Sequence, residues 1–280
     1  MSCIPAKDWK SVWELLTAGI HAHVRQNGFT DVVIGLSGGM DSALVAALAV
    51  GALGKEHVHG VLMPSPWSSE GSVTDSKALA ENLGIETFTV PIAPMMDAFE
   101  TALAPAFAGT QRDVTEENIQ SRIRGVTLMS FSNKFGWMLL ATGNKSEIAA
   151  GYCTMYGDTC GSLEPIGDLY KTEVYQLAAW INANEGREVI PQNIFDKAPS
   201  AELRPGQKDE DSLPAYDVLD SILHALIEES KPAVDIDLPG IPCEQIERVL
   251  ELVRKSAFKR LQTAPLLPVG HHAFGVHVHM

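Results

Sequence analysis

The sequence predicts an α/β fold, a doubly wound parallel sheet flanked by helices. Two observations lead to this prediction: a buried strand runs through a glycine-rich turn into an alanine-rich helix, and further strand–helix units follow it. The 280 residues are 45% hydrophobic, enough material for a large core. Repeated strand–helix units form parallel sheets because the crossover helices pack on the faces. Ligands of such sheets bind beyond the carboxyl ends of the strands.

The first predicted element is an amphipathic helix over residues 7–26. Trp9, Val12, Trp13, Leu16 and Ile20 recur at helical spacing and give it one apolar face. The preceding residues lack the charged and apolar regions of a signal peptide. The sequence also contains no apolar run of about eighteen residues, the length of a membrane span. We therefore expect a cytoplasmic protein that does not enter the membrane.

The next unit, from Asp31 to Val50, predicts a phosphate-binding loop. A strand at residues 32–34 leads into Gly35, Leu36, Ser37, Gly38, Gly39, Met40, Asp41 and Ser42, and a helix covers residues 43–50. Glycines allow backbone N–H groups to crowd around an anion, and the helix N-terminus adds partial positive charge. Ser37 and Ser42 supply hydroxyl donors, and Asp41 is a candidate ligand for Mg²⁺ beside the phosphates.

Three other interpretations of this loop fit the residues less well. A Walker-type loop needs a lysine before its last Ser or Thr, and Asp41 stands there instead. The G-x-G-x-x-G spacing of dinucleotide-binding loops is absent. A tight turn with glycines for packing alone would explain a single glycine pair, but not the whole Ser-Gly-Gly-x-Asp-Ser string, which resembles the pyrophosphate loop of the ATP pyrophosphatases.

The rest of the chain continues the alternation. Strands are predicted at residues 58–63, 86–90 and 137–142, and helices at residues 73–82 and 115–134. Thr115 is the predicted cap of the longer helix, with two acidic residues in its first turn. We expect one domain, 1–280, with a helix at about 7–26, a nucleotide-binding core at about 28–198, a mobile loop at about 199–217 and C-terminal helices at about 218–262.

Four further stretches make the resemblance more specific. They lie at residues 117–124, 142–158, 165–172 and 199–211. Together with the loop they resemble NAD synthetase, a family with a Rossmann-like, adenine nucleotide α-hydrolase-like fold, over about residues 28–275. The likeness is greatest to the synthetase domain of the glutamine-dependent form. It implies ATP-dependent amidation of nicotinic acid adenine dinucleotide (deamido-NAD) to NAD through an acyl-adenylate, with AMP and pyrophosphate released and ammonia as the nitrogen donor.

The resemblance also implies roles for single residues. Mg²⁺ would be held by Asp41 and Glu147, and ATP, a co-substrate, by the loop with Thr142, Lys171 and Ser200. Asp41, Lys171 and Asp158 are the expected catalytic residues. For Asp158 two interpretations remain open: it helps to take a proton from ammonium, or it caps a turn. The expected contacts of deamido-NAD are Arg122, Tyr152 and Lys259.

Two residues depart from the family pattern. Met155 stands where ammonia-only relatives have a substrate-binding lysine, and Phe258 replaces their histidine before Lys259. Considered alone, each of these residues could have a structural role instead of a functional one. Glu147 could start a helix, and Lys171 could lie on the surface. Arg122 could form an ion pair, and Tyr152 could belong to the core. The segment 199–217 is polar and bears prolines. It is therefore expected to be a mobile lid that excludes water from the adenylate.

Composition limits the partners. The chain has 35 acidic and 21 basic residues and a net charge of −14, which argues against nucleic-acid binding. Four cysteines without C-x-x-C spacing are expected to be reduced thiols. His271, His272, His277 and His279 near the C-terminus are interpreted as a solvated or purification-derived tail.

The nitrogen source is predicted from what precedes the loop. About thirty residues stand there, too few for a glutaminase domain. We therefore expect either free ammonia or a separate glutaminase subunit as the source, and by resemblance a homodimer. The alternatives are another pyrophosphate-loop enzyme, such as a GMP synthetase or a tRNA thiolase, and a non-catalytic nucleotide-binding regulator.

Overall fold

A four-stranded parallel sheet forms the centre of the molecule. The computed structural model describes residues 4–270 and 272–273. The sheet order is β3-β2-β1-β4, with every pairing parallel. The strands are β1 Val32–Gly35, β2 Val58–Leu62, β3 Glu86–Thr89 and β4 Met138–Leu139. The predicted α/β class is confirmed. The chain adds strands on one side of β1 and then returns to the other, so the switch point lies between β1 and β4.

Eleven α-helices surround the sheet in the described part of the chain. They are α1 Trp9–Gln26, α2 Met40–Leu53, α3 Glu70–Leu83, α4 Ala93–Leu103, α5 Val114–Phe135, α6 Lys145–Ala150, α7 Lys171–Glu185, α8 Gln192–Asp196, α9 Tyr216–Ile227, α10 Cys243–Lys255 and α11 Ala257–Arg260. Alternate residues of β1 face opposite layers. Val32 and Ile34 join the apolar cluster that includes α1, α2 and α7, while Val33 joins the cluster that includes α4 and α5.

Several predicted boundaries differ from the structure. The cap of α5 is Asp113 and not Thr115, because Asp113 Oδ1 accepts the Thr115 N–H at 2.8 Å and Glu116 reaches back to the Asp113 N–H. α3 begins at Glu70, where the Ser69 hydroxyl accepts the Ser72 N–H at 3.1 Å. β4 is shorter than predicted: the Leu140 N–H still donates to the Val33 carbonyl at 3.1 Å, but beyond Leu139 the chain forms only an isolated bridge, between Leu140 and Leu163.

The C-terminal part differs as well. α9 begins at Tyr216, inside the segment predicted as a mobile loop, and residues 209–211 of that segment form a 3₁₀ turn. α4 was not predicted. No helix of residues 4–270 and 272–273 is long and apolar enough to cross a membrane. Of the histidine-rich tail, His271, His277 and His279 lie outside the described residues.

A second apolar cluster, formed by α6, α9 and α10, supports the start of α6. There Lys145, fully buried, donates from Nζ to Asp168 at 2.7 Å, to Glu228 and to the His272 carbonyl. The other Asp168 oxygen accepts the N–H groups of Val269 and Gly270. These contacts fix the turn of α6 that carries Glu147.

Candidate active site

The loop after β1 requires glycine at position 38, because any other residue there would be strained. Gly38 has a φ of +76°, and a Cβ there would lie 2.4 Å from the Ser72 carbonyl oxygen at the start of α3. Ser37 and Ser42 hold the turn together, with their hydroxyl oxygens 3.1 Å apart. The N-terminus of α2 follows at once, so backbone N–H groups and partial positive charge face the same space.

A cavity of about 280 Å³, partly open to solvent, lies at the carboxyl ends of β1 and β4. It is bounded by the loop after β1, the turn after β4, residues 152–160 and residues 197–203. The predicted site residues that line it are Gly35, Leu36, Ser37, Gly39, Met40, Asp41, Ser42, Thr142, Glu147, Tyr152, Asp158, Lys171 and Ser200. Gly38, Arg122 and Lys259 do not. The switch point of the sheet is therefore where most of the predicted site residues meet.

Lys171 lies between two carboxylates in this cavity. It is 4% exposed, pairs with Asp41, and its Nζ is 3.6 Å from Glu147 Oε1. Burial alone would lower the pKa of Lys171, but the charges of Asp41 and Glu147 outweigh burial and raise that pKa. The surface-lysine alternative is thus wrong. At neutral pH the side chain is a fixed cation beside the phosphate-binding loop.

Glu147 both starts a helix and faces the cavity. Its backbone N–H donates to Asn144 Oδ1 at 3.0 Å, and its side chain accepts the Asn144 N–H in return. Asn144 also donates to Asp41 Oδ1 at 2.9 Å. Burial, together with the nearby charge of Asp41, raises the pKa of Glu147. Asp41 and Glu147 share this space with one lysine, and a second cation beside them would further relieve their repulsion.

The set of donors fits Mg²⁺, which prefers carboxylate oxygens and retains water or phosphate ligands. Among the described residues no group of three or more His, Cys, Asp or Glu is placed to hold a metal. Asp41 and Glu147 would therefore supply two ligands and leave the other positions to water and nucleotide. Lys171 would remain as the neighbouring cation.

Asp158 closes a turn and also lines the cavity, while its role as a proton acceptor stays a prediction. Its Oδ1 accepts the Thr154 N–H at 2.6 Å, so it does close a turn. Its side chain also lines the cavity and stays open to it. Enclosure by the cavity walls raises the pKa of Asp158 to about 6.

The segment after α8 covers the cavity and is tied to α3. The Glu202 carboxylate accepts hydrogen bonds from the Ser69 hydroxyl at 2.9 Å and the Ser72 hydroxyl at 2.8 Å. Lys197 Nζ lies 2.8 Å from Glu202 Oε1. Ser200 donates to the Gln207 carbonyl at 2.6 Å. A carboxylate from the segment thus lies at a helix N-terminus, where negative charge is favourable.

Comparison with known proteins assigns the family. The family model described as NAD synthase matches residues 12–263. The chain is 31% identical to an NH3-dependent NAD synthetase from Campylobacter jejuni, with a TM-score of 0.72, over 91% of this chain and 96% of that one. The chain belongs to the NAD synthase family.

Other members of the NAD synthase family are similar over different lengths. A glutamine-dependent NAD(+) synthetase from Thermotoga maritima is 50% identical over 97% of this chain and 47% of its own length. The chain thus spans about half the length of the curated relatives it matches. An NMN synthetase from Francisella tularensis shares 29% identity and a TM-score of 0.78, over 91% of this chain and 97% of that one.

The candidate substrate residues of this NAD synthase family member are only partly brought together. Tyr152 lines the cavity and packs against the cluster of α6, α9 and α10, so the core alternative holds for part of its surface. Arg122 is exposed, and its Nε donates to the Met155 carbonyl at 3.2 Å. Lys259 Nζ donates to the carbonyls of Gly151 and Cys153, at 2.8 and 2.7 Å. Arg122 and Lys259 stand beside the cavity and shape its wall.

Sequence reasoning missed five charged residues of the cavity: Arg124, Glu164, Lys197, Glu202 and Asp209. Arg124 Nε donates to the Met63 carbonyl at 3.2 Å, and burial lowers the pKa of its guanidinium to about 10. Asp209 is 4% exposed and accepts the Tyr216 hydroxyl at 2.8 Å. Each lies inside, or within a few residues of, one of the four stretches that resemble NAD synthetase. A single charged residue between apolar neighbours, such as Glu164 between Leu163 and Pro165, is the sequence signal that could have indicated a buried site residue.

Proposed function

We propose that the chain converts nicotinic acid adenine dinucleotide to NAD, with ATP as co-substrate and ammonia as nitrogen donor. The reaction would pass through an acyl-adenylate and release AMP and pyrophosphate. The observation that carries the proposal is Lys171 held between Asp41 and Glu147 beside the glycine-rich loop, in the cavity at the switch point of the sheet. Membership of the NAD synthase family supports the same reaction.

The first step needs groups that stabilise departing pyrophosphate. When the substrate carboxylate attacks the α-phosphate of ATP, charge grows on the leaving oxygens. The N-terminus of α2 and the ammonium of Lys171 would face that charge before the reaction begins. Thr142 and Ser200, which both line the cavity, would orient ATP. Asp41 would position Lys171 through their ion pair.

Mg²⁺ would be held by Asp41 and Glu147. When bound, it supplies charge neutralisation to the phosphates. The pairing of these two carboxylates with one lysine supports this assignment, because a single ammonium leaves one negative charge without a partner.

Deamido-NAD would be bound by Arg122, Tyr152 and Lys259. Tyr152 offers a ring on which the pyridine can stack, and it lies on the cavity wall between the α6 turn and Asp209. Arg122 and Lys259 contact the same wall, because their side chains donate hydrogen bonds to backbone carbonyls of residues 151–155. Asp158, which faces the cavity from this wall, is the candidate acceptor of a proton from the nitrogen donor.

Product analysis tests the proposal. Purified protein is incubated with ATP, Mg²⁺, ammonium and either deamido-NAD or nicotinic acid mononucleotide, and products are separated by mass. We expect NAD, AMP and pyrophosphate in equal amounts from the dinucleotide. Preference for the mononucleotide would place the chain with the NMN synthetase it resembles. Formation of ADP, or no pyrophosphate with either acceptor, would contradict the proposal.

Assembly and location form the rest of the proposal. The protein would act as a homodimer in the cytoplasm and take ammonia directly or from a separate glutaminase subunit. Three cysteines of the described chain, Cys153, Cys160 and Cys243, are free thiols, as in reducing compartments. Light scattering tests the dimer. NAD formation from ammonium-free glutamine, with and without candidate glutaminases, tests the partner.

A further inference from the structure

Glu164 is a buried carboxylate of the cavity that has no part in the reaction proposed above. It is 1% exposed and lines the cavity, while its neighbour Leu163 is packed in the core. Its backbone N–H donates to the Pro265 carbonyl at 2.8 Å, which fixes this short extended segment. Its Oε2 is buried and accepts no hydrogen bond from any residue that the structure describes. A buried polar atom without a partner is costly, so this oxygen calls for a ligand.

The other oxygen of Glu164 is fixed against the turn that follows β4. A Cβ on Gly143 would lie only 2.1 Å from Oε1, so the carboxylate occupies the space that a side chain would need. Thr142, next to that glycine, lines the cavity. Glu164 is therefore held where β4 ends, with one oxygen against the turn and the other left for a ligand.

Among the described residues no cation forms an ion pair with Glu164, although the Arg124 guanidinium interacts electrostatically with Asp158. Burial and the negative charge of Asp158 raise the pKa of Glu164 to about 8. The Cys153 thiol faces both carboxylates and stays neutral, because burial raises its pKa to about 12. Lys259 influences Asp158 and Cys153 but donates its hydrogen bonds to backbone carbonyls. Two carboxylates thus share one part of the cavity in which a small cation with N–H donors would be stabilised.

We propose that Glu164 and Asp158 bind the nitrogen donor as ammonium ion, and that Glu164 accepts the first proton it loses. The inference rests on the proposed amidation and adds a catalytic residue to it. Asp158 was a candidate from the sequence, whereas Glu164 follows only from its position in the fold.

The chemistry requires two proton acceptors. Ammonium has no lone pair, so one N–H proton passes to Glu164 and leaves neutral ammonia. The nitrogen lone pair then attacks the acyl carbon of the adenylate, the C–N bond forms, and the C–O bond breaks with its electron pair leaving on AMP. A second N–H proton passes to Asp158, and the amide results. Ammonium loses two protons in becoming an amide NH₂ group, and the cavity offers two carboxylates to take them.

The test compares two nucleophiles in Glu164→Gln. Glutamine keeps the size of the side chain and an oxygen that can lie against Gly143. Hydroxylamine is already neutral near pH 7, so its attack needs no proton transfer to Glu164. Pyrophosphate release reports the adenylation step, and NAD or hydroxamate formation reports nucleophilic attack. Glu86→Gln is the matched control, because Glu86 begins β3 at the opposite end of the sheet and the variant removes the same charge.

We expect NAD formation from ammonium to fall about 10²- to 10⁴-fold in Glu164→Gln, the usual loss on removing a general base. Pyrophosphate release and hydroxamate formation should stay close to wild type, and Glu86→Gln should behave as wild type throughout. Equal losses with both nucleophiles, or no loss with ammonium, would overturn the inference. Wild-type protein that releases no pyrophosphate would overturn the proposed function, and the inference with it.

The wild-type protein provides a second test if the variant does not fold. With ammonium, the rate of amidation should rise with pH and level off near pH 8 as Glu164 loses its proton, whereas a rate that follows free ammonia in solution would keep rising above pH 8. With hydroxylamine, the rate should lack this rise. The same pH dependence with both nucleophiles would overturn the assignment of Glu164 as a proton acceptor.

Discussion

Lys171 takes its state from its two carboxylate neighbours. Alone, a lysine buried to this extent would favour its neutral form. Asp41, in contact with it, and Glu147, 3.6 Å away, keep it protonated. The three side chains therefore behave as one unit, and removing any one changes the charge seen by the other two.

Asp41→Asn and Glu147→Gln should each lower turnover by about a hundredfold or more at ordinary Mg²⁺ concentrations, because the metal loses a ligand. Higher Mg²⁺ should restore part of the loss. Glutamine at position 147 can still reach back to the Asn144 N–H, so the helix start is retained. Pyrophosphate release measured against Mg²⁺ concentration checks this. Wild-type turnover in both variants would contradict the ligand assignment.

Gly38→Ala should destabilise the fold by about 2–4 kcal/mol, because it adds a clash to a strained backbone. The clash is with the Ser72 carbonyl, 2.4 Å from the new Cβ. Gly136→Ala is the matched control: its φ is +72°, but nothing lies within 4 Å of a Cβ there. Urea unfolding of both variants separates the two causes. Equal losses would mean that backbone strain alone accounts for the effect.

At the scale of elements, the segment 198–209 is tied to the start of α3 and covers one side of the cavity. Glu202 is the main link, with hydrogen bonds from Ser69 and Ser72 and an ion pair with Lys197. Burial opposes its charge, but these hydrogen bonds outweigh burial and lower the pKa of Glu202. A group with a lowered folded-state pKa stabilises the closed form above its ordinary pKa of about 4.3, and loses that effect as the pH falls through the folded value.

Glu202→Gln should loosen this cover. We expect faster trypsin cleavage after Lys208 than in wild type at neutral pH. ATP together with deamido-NAD should slow cleavage of the wild type if the segment is a lid. Glu210→Gln, an exposed residue of the same segment, is the control. Identical cleavage of both variants and the wild type would show that Glu202 does not hold the segment.

The sequence predicted elements whose signals are local. β1, its loop and α2 were found because a β-branched run, a glycine string and an alanine-rich run stand side by side. β4 was overestimated because Ala141 hydrogen-bonds to the Leu163 carbonyl instead of to β1, and this pairing depends on distant chain. Glu164 and Glu202 were missed for the same reason: their partners, Gly143 and Ser72, become neighbours only in the folded molecule.

At the scale of the whole molecule, buried carboxylates make stability depend on pH. Burial raises the pKa of Glu164 to about 8 and that of Asp220 to about 6. Between an ordinary carboxyl pKa of about 4 and these values, the folded chain binds more protons than the unfolded chain. The free energy of unfolding contributed by these groups therefore falls as the pH rises across that range.

Glu164→Gln should stabilise the protein, and more at pH 8 than at pH 5. The variant has no carboxylate to desolvate, and the cost of the wild-type carboxylate grows as the pH rises towards about 8. We expect the Tm to rise by about 2–8 °C at pH 8. Calorimetry of both proteins at the two pH values checks this. A gain that does not change with pH would point to packing instead of charge.

The order of strands also bears on how the molecule folds. β1 pairs with β2, which follows it closely in the sequence, and with β4, which is about a hundred residues further along the chain. Closing the longer loop costs more chain entropy, so contacts across β1–β4 should form late. Lys171 and Glu202 come later still along the chain. A refolding chain should therefore regain most of its helix signal before it binds nucleotide, and nucleotide affinity should return with the slowest folding phase.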